Sequence, residues 1–457
     1  MSVAAVVLAA GLGKRMRSAR PKVVHPVGGR PMLLYVLDAV RAVATRSPIV
    51  VVGHGAEAVR AVLPADVQVA VQGEPRGTAD AVRAAMPLLE GFQGAVVVAF
   101  GDTPLVSAQT FRALVAAHLD QGNAATLVTA RLHDPHGYGR IVRDGAGAFV
   151  RIVEEPDCDE RERAIQEINT GIACFRADML HNALARVRPD NAQGEYYLTD
   201  VFRLLQQAGA RIGTVSATEV TEIMGINSRR DLASAEAAMR RRTLQRLMDE
   251  GVTVVDPDTT FVDAAARIEP DTVLHPFTVI EGETTIGRGC AIGPGAHLVG
   301  ARVADGVQIR WSVVEHSEIG EGSYVGPYAH LRPGTRLGRR VEVGNFAEIK
   351  NSQVGDGTRI HHVSYLGDAT VGREVNIGAG TITCNLRYGV RGKQPTVIED
   401  GAFIGSDTML QAPVRIGAGA VTGAGSVVTK DVPAGKVAVG VPARVIRAAK
   451  PDGEGQP

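Results

Sequence analysis

The chain has 457 residues, enough for two or three domains with cores of their own. Lys plus Arg and Asp plus Glu each total 49, so no global charge points to nucleic acid or an anionic membrane as partner. Apolar content of 45% suits a soluble globular enzyme, while 4% aromatics and 53 glycines suit a narrow solenoid that admits few rings.

The apolar run at 3–10 has no basic leader and meets Gly11 far short of the roughly 20 residues a spanning helix needs, so no signal peptide or membrane segment is expected. Residues 1–227 alternate short apolar runs (3–8, 49–52, 96–100, 125–129) with helical patterns (32–43, 78–89, 109–119). Such alternation predicts an α/β domain with a mostly parallel, Rossmann-like sheet and a ligand crevice at the carboxyl ends of its strands. The loops after Leu8 and Phe100 are therefore the ones to read closely.

After the first run comes Leu8-Ala9-Ala10-Gly11-Leu12-Gly13-Lys14-Arg15-Met16, then Pro21-Lys22. Glycines let backbone N–H groups approach phosphate oxygens, and Lys14, Arg15 and Lys22 supply positive charge. Met16 stands where a dinucleotide fingerprint needs its third glycine, and no Walker pattern is present. On local grounds the loop either binds phosphate or is an ordinary strand-to-helix turn.

The four cysteines, at 158, 174, 290 and 384, form no C-x-x-C pair, so neither a zinc site nor a disulfide framework is expected and a reducing cytoplasm is the default compartment. Residues 228–250 read as one linker helix, with Leu232, Ala235, Met239, Leu244, Leu247 and Met248 as a broken apolar stripe and Gly251 as its stop. The Arg240-Arg241-Arg242 run reads as a solvated face.

From 263 to 446 pairs of a small aliphatic residue and glycine recur every six residues, as in Ile286-Gly287 and Ile292-Gly293, Ile319-Gly320 and Val325-Gly326, or Leu337-Gly338 and Val343-Gly344. Six residues make one short strand and a turn, and three such units close a triangular coil of eighteen, for example Ile319 to Leu337. This predicts a parallel β-helix over 251–446 with the aliphatic residue inward and glycine supplying corners of positive φ. Residues 431–446 are expected to cap the last coil, and 447–457 to form a disordered tail.

Several residues break the small-aliphatic code: Arg332, Lys350, the stretch from His361 to Asp368, Asn376 and Asn385. Arg332 and Lys350 are eighteen apart, so their side chains should stack on one face, with His362 one wall further along.

Gln72 with Gly77-Thr78, Phe100-Gly101-Asp102, Tyr138-Gly139-Arg140, Glu154, Asn169-Thr170-Gly171, the run 193–200 and Gly225-Ile226-Asn227 complete a set with the first loop. In order and spacing this set resembles the sugar-1-phosphate nucleotidyltransferases. With the repeat that follows, the chain is similar through nearly all of 1–446 to the bifunctional N-acetylglucosamine-1-phosphate uridyltransferases and glucosamine-1-phosphate acetyltransferases, in which such a domain precedes a left-handed β-helix.

The resemblance implies that Leu8, Ala9, Ala10, Gly11, Gln72, Gly77 and Thr78 hold uracil and ribose. It further implies that Arg15 and Lys22 face the phosphates, that Phe100 and Gly101 are among the nucleotide- or sugar-binding residues, and that Gly139, Glu154 and Asn169 hold N-acetylglucosamine. Asp102 and Asn227 match the pair that holds Mg²⁺, an oxygen set suited to a cation that takes its other ligands from water and phosphate. The sugar phosphate, with a second pKa of ~6, needs no protein base to attack a nucleoside triphosphate, so no covalent intermediate is expected.

In the repeat the resemblance makes His362 the general base of acetyl transfer, Arg332 and Lys350 the phosphate ligands, and Tyr365 and Asn376 the hydroxyl ligands of the sugar. Ala379, Asn385, Leu386, Ser406 and Ala424 match acetyl-CoA positions. Two residues depart from the family pattern: Leu386 stands where tyrosine is usual, with Tyr388 two further on, and Gly440 stands where arginine is usual, with Arg444 nearby. The implied co-substrates are UTP and acetyl-CoA, and the implied assembly is a homotrimer, although the sequence alone permits a monomer. A second reading keeps the β-helix non-catalytic and gives the first domain another sugar phosphate.

Overall fold

The computed structural model describes residues 2–449. They form two compact units that divide between Met239 and Arg240. Among the described residues no helix is long and apolar enough to cross a membrane.

The first unit is built on a nine-stranded sheet of β1 (Val3–Ala9), β2 (Ile49–Val52), β3 (Gln68–Val71), β4 (Ala95–Phe100), β5 (Ala125–Arg131), β6 (Gly139–Arg143), β7 (Phe149–Val153), β8 (Glu167–Arg176) and β9 (Ile212–Ser216). The order is β9-β5-β8-β4-β1-β2-β3, with β6 pairing both β8 and β7. Strands β1 to β4 run parallel, as does β9 beside β5, while β8 runs against β4, β5 and β6. Successive residues of β1 enter two cores: Ala4, Val6 and Leu8 pack on one face, Val3, Ala5, Val7 and Ala9 on the other. That is why its sequence is continuously apolar rather than alternating.

Helices α1 (Met32–Arg41), α2 (Thr78–Ala85) and α3 (Ala108–Asp120) occupy the expected positions. The expected helix 78–89 is shorter than its pattern: α2 stops at Ala85 and a 3-10 turn, Met86–Leu89, follows. Pro87 brings no N–H to continue the ladder. Helix α4 (Arg229–Asp249) fills the 228–250 segment. Ala235 and Met239 pack with Met16 and Ile226 of the first unit, and Leu244 and Leu247 with Val252 and Val262 of the second. Met248 departs from the stripe, at 36% exposed.

The second unit has three walls, sheets of 12, 10 and 9 strands; apart from the final strand of the first sheet, each strand pairs in parallel with the equivalent strand one coil away. Wall one points Leu274, Ile292, Ile309, Val325, Val343, Ile360, Ile377 and Ile404 inward in exact succession, each paired with the next, and all are buried. Ile319 pairs with Leu337 as the spacing requires. Hydroxyls two residues before Leu274, Val325 and Ile360 bond the adjacent coil: Thr272, Ser323 and Thr358 donate to the carbonyls of Gly287, Gly338 and Gly372 at 2.8, 3.0 and 2.8 Å. The fold class is therefore the expected one, an α/β nucleotidyltransferase domain followed by a left-handed parallel β-helix.

The role assigned to the paired glycines needs correction. Gly293 and Gly326 do have positive φ, but Gly287, Gly320, Gly338, Gly344, Gly372 and Gly378 do not. Their constraint is stacking: a Cβ on Gly344 would lie 2.0 Å from the His361 carbonyl oxygen, and one on Gly320 2.3 Å from that of Gly338. Many positive-φ corners fall to larger residues, among them Phe277, Trp311, Tyr328 and Phe346.

The last strand of wall one, Lys436–Gly440, is covered by Ala443–Ala448 running back antiparallel. The tail expected to be disordered from 447 is thus in a strand at Arg447 and Ala448, and 450–457 lies outside the described residues.

Candidate active sites

In the first unit β1 and β4 end side by side, with Leu8 paired to Phe100 and the Gly101 N–H donating to the Leu8 carbonyl at 2.9 Å. A Cβ on Gly101 would lie 2.8 Å from the Leu33 side chain, so glycine leaves room for α1 to pack against this strand end. A cleft of about 560 Å³ opens there, lined by Leu8, Ala9, Ala10, Gly11, Arg15 and Lys22 on one side and by Gln72, Gly77 and Thr78 on the other. A Cβ on Gly11 would meet nothing within 4 Å, so at this position the backbone faces open space. The loop holds a single 3-10 turn, Lys14–Met16, rather than the start of an α-helix. Gly77 has φ 117°, and a Cβ there would lie 2.5 Å from the Tyr196 carbonyl oxygen.

At the floor of the cleft Lys22 Nζ forms an ion pair with Asp102 and donates to Asn227 Oδ1 at 3.0 Å. Asn227 is set by its backbone: its N–H and that of Ser228 donate to Asp231 Oδ2 at 2.9 and 2.8 Å, and the Ile226 N–H donates to the Asp102 carbonyl at 2.9 Å. Two side-chain oxygens thus converge on one cationic group, a donor set that fits a small hard cation.

A second compartment of about 490 Å³ shares Thr78, Phe100, Asp102, Glu195 and Asn227 with the first. It is lined by Gly139, Glu154 and Asn169, which three separate segments bring together. Gly139 pairs with Asn169 across β6 and β8, and a Cβ on Gly139 would lie 3.2 Å from Glu154 Oε2. Asn169 Oδ1 accepts from the Gly171 N–H at 3.0 Å. Thr199 Oγ1 donates to Glu154 at 3.1 Å, yet burial holds this carboxyl above its ordinary value. Tyr197 is pushed up to about 12 by burial and by the carboxylates around it. Glu195, Tyr197 and Thr199 received no individual role from the sequence; their signal was the polar run 193–200.

In the second unit wall two carries Arg332, Lys350 and Tyr365. Leu331 pairs with Ile349, so Arg332 and Lys350, each one residue further on, lie on the same face, and Tyr365 pairs with Glu348. Arg332 bonds Glu348 at 2.7 Å. Sequence reasoning assigns no role to Lys393, whose ammonium stands beside that of Lys350 and 3.7 Å from Asp368 Oδ2. Beside this second ammonium, with Arg332 close, Lys350 is held below the ordinary lysine value, the mark of a cationic cluster with too few anions. The signal for Lys393 is the gap in the six-residue period between Ile382–Cys384 and Thr396–Ile398.

His362, Ala379, Ser406 and Ala424 occupy one register position, two residues past Ile360, Ile377, Ile404 and Thr422 in successive coils of wall one. They form a column on the corner between walls one and two. His362 is exposed, with its ring edge-on to that of His361 at 6.2 Å. Asn376 lies in wall one, apart from Arg332, Lys350 and Tyr365. Asn385, grouped by sequence with the column, instead donates to Asp368 at 2.6 Å and to the Tyr365 hydroxyl at 3.4 Å. Leu386 is 71% exposed, at the start of the loop that carries Lys393.

Residues 4–220 match the Nucleotidyl transferase family, and 265–300, 316–351 and 395–430 match Bacterial transferase hexapeptide (six repeats). The chain is 55% identical over 415 residues to Bifunctional protein GlmU of Pelotomaculum thermopropionicum, covering 91% of this chain and 90% of that one. It is 51% identical over 435 residues to the protein of the same name from Heliobacterium modesticaldum, covering 95% and 94%. For the one from Streptomyces avermitilis the identity is 48% over 442 residues, covering 95% and 91%.

Proposed function

This chain belongs to the bifunctional GlmU family, and on that premise we propose how its residues divide the work. The enzyme transfers acetyl from acetyl-CoA to glucosamine 1-phosphate, then uridylyl from UTP to N-acetylglucosamine 1-phosphate with release of pyrophosphate. We assign the second reaction to 1–227 and the first to 251–446, with 228–250 as linker. Both run in the cytoplasm, where the co-substrates are available.

The observation that carries the uridylyl assignment is the meeting of two compartments at Asp102 and Asn227. UTP takes the compartment of Gly11, Gln72 and Thr78, and the sugar takes that of Gly139, Glu154 and Asn169. Asp102 and Asn227 would hold Mg²⁺, which when bound neutralises charge on the nucleotide's phosphates. Lys22, already hydrogen-bonded to Asn227, and Arg15 at the rim bring the chain's own positive charge to the leaving pyrophosphate. The sugar's phosphate oxygen, largely ionised at pH 7, attacks the α-phosphorus directly and no nucleotidyl-enzyme forms.

On the β-helix, Arg332, Lys350 and Lys393 bind the phosphate of glucosamine 1-phosphate, and Tyr365 and Asn376 its hydroxyls. His362 takes a proton as the amine nitrogen attacks the thioester carbonyl, and the carbon–sulfur bond breaks to release coenzyme A. The coenzyme lies along the column Ala379, Ser406, Ala424, where small side chains leave a groove.

We propose a homotrimer. Phe277, Trp311, Tyr328, Phe346 and Val363 are exposed along the same corner as His362, with the Tyr328 and Phe346 rings stacked at 5.6 Å. A contiguous apolar stripe of this kind calls for cover, and a second copy would also bring in an Asn376 that the first cannot supply to its own wall two.

Incubating the protein with glucosamine 1-phosphate, acetyl-CoA, UTP and Mg²⁺, with free thiol and pyrophosphate followed separately, tests the assignment. Both should appear, thiol first. Pyrophosphate without thiol would leave the β-helix a non-catalytic scaffold.

A further inference from the structure

We infer that Asp80 fixes which end of the Gln72 amide faces the nucleotide, and thereby sets the choice of base; the inference rests on the reading of the first compartment as the nucleotide's. Gln72 follows β3, is only 7% exposed and lines the cleft. Its Nε2 donates to the Gly77 carbonyl at 3.2 Å and to Asp80 Oδ2 at 2.9 Å. Both neighbours are pure acceptors, so the orientation of the amide is dictated by chemistry: turning it round would set carbonyl against carboxylate and carbonyl. Both amide hydrogens are used, and Oε1 meets no donor among the described residues.

Asp80 is the third residue of α2, in its first turn, and is absent from the lining of the cleft. It acts through Gln72 and is a positioning residue. What it leaves facing the base is an acceptor alone. Uracil carries an N3–H donor between two carbonyls, whereas cytosine carries a lone pair at N3. Gln72 Oε1 complements the first and repels the second, and a buried site that pairs one polar edge rejects the other more strongly than an apolar pocket could.

The test is the ratio of kcat/KM for UTP to that for CTP, measured on the full chain with N-acetylglucosamine 1-phosphate. Asp80→Asn keeps a carbonyl acceptor for the same hydrogen and should hold the ratio within about twofold. Asp80→Ala leaves only the longer bond to the Gly77 carbonyl to hold the amide, so the turned orientation becomes accessible and the ratio should fall about tenfold, largely through better use of CTP. Should the alanine chain fail to fold, Asp80→Ser, whose hydroxyl donates as readily as it accepts, is expected to lower the ratio as well. A merely structural acid in the first turn of α2 would move both nucleotides together, so an unchanged ratio in a folded variant overturns the inference. An unaltered chain that uses neither nucleotide sinks the compartment reading itself, a failure distinct from an unmoved ratio.

Discussion

The two sites we propose solve the same problem, binding a sugar phosphate and an activated donor, on opposite kinds of surface. In the first unit the reacting groups sit in a cleft at strand ends, where the Lys22 and Asp102 side chains are 12% and 16% exposed. On the β-helix the Arg332 and Glu348 side chains are 36% and 40% exposed on a wall. A doubly covered sheet must end somewhere, and its ends make a crevice without help. A solenoid presents faces and corners, so its site depends on whatever is laid against them. We propose that the first site is complete in one chain and that the second is completed by another copy.

The largest effect comes from separating the two chemistries. His362→Ala should cost acetyl transfer about 10²–10⁴-fold while pyrophosphate release from UTP and N-acetylglucosamine 1-phosphate is nearly unchanged. Asp102→Ala should do the reverse, lowering uridylyl transfer about 10²–10³-fold and sparing thiol release. Equal loss of both activities in either variant would break the division of labour.

Next is the dependence on a neighbour. Phe346→Glu places a charge in the exposed aromatic stripe, beside the Tyr328 ring. Sedimentation should show the assembly dissociating, with thiol release falling in step and uridylyl transfer holding. A variant that remains trimeric, or one that dissociates with acetyl transfer intact, would remove the contrast. Smaller again is Lys393→Ala, expected to raise KM for glucosamine 1-phosphate about tenfold by loss of one charged hydrogen bond with kcat little changed. It should also relieve the crowding that holds Lys350 down, so that KM in the variant varies less with pH on the alkaline side.

How much of this was legible differs between the sites for a physical reason. In the β-helix, position along the chain is position in space: the period of eighteen put Arg332 and Lys350 on one face. The column of His362, Ala379 and Ser406 follows only from the strand registers, since their spacings of 17 and 27 residues do not keep that period. Lys393 escaped because it lies where that period is interrupted. In the first unit the loops after Leu8 and Phe100 followed from strand runs, but the antiparallel β8 that brings Asn169 to Gly139 left no trace in local pattern. Nor did the bond from Gln72 to Asp80, eight residues on, since it depends on how β3 meets α2. For the paired glycines of the repeat the expected reason, positive φ, applies to Gly293 and Gly326 but not to Gly287, Gly320, Gly338, Gly344, Gly372 or Gly378, because the sequence shows that a side chain is missing and not which coil would strike it.

The smallest expected effect sharpens the difference between a buried and an open site. Burial holds the Glu154 carboxyl above the value of 4.5 it has when unfolded. Below that pH the group is protonated in both states and contributes nothing to their difference. As pH rises from 4.5 towards the raised folded value, the unfolded chain releases its proton first, so stability falls, and above the folded value the loss is constant. Glu154→Gln keeps an acceptor for Thr199 and removes the titration. The variant's unfolding midpoint should therefore run parallel to that of the parent at acid pH, then draw ahead as pH rises. No such divergence is expected from Arg332→Gln, whose guanidinium is held on an open wall and stays charged throughout the range. Parallel profiles for Glu154→Gln across the window would mean that the sugar compartment is as wet as the β-helix wall, and the contrast between the two sites would then rest on shape alone.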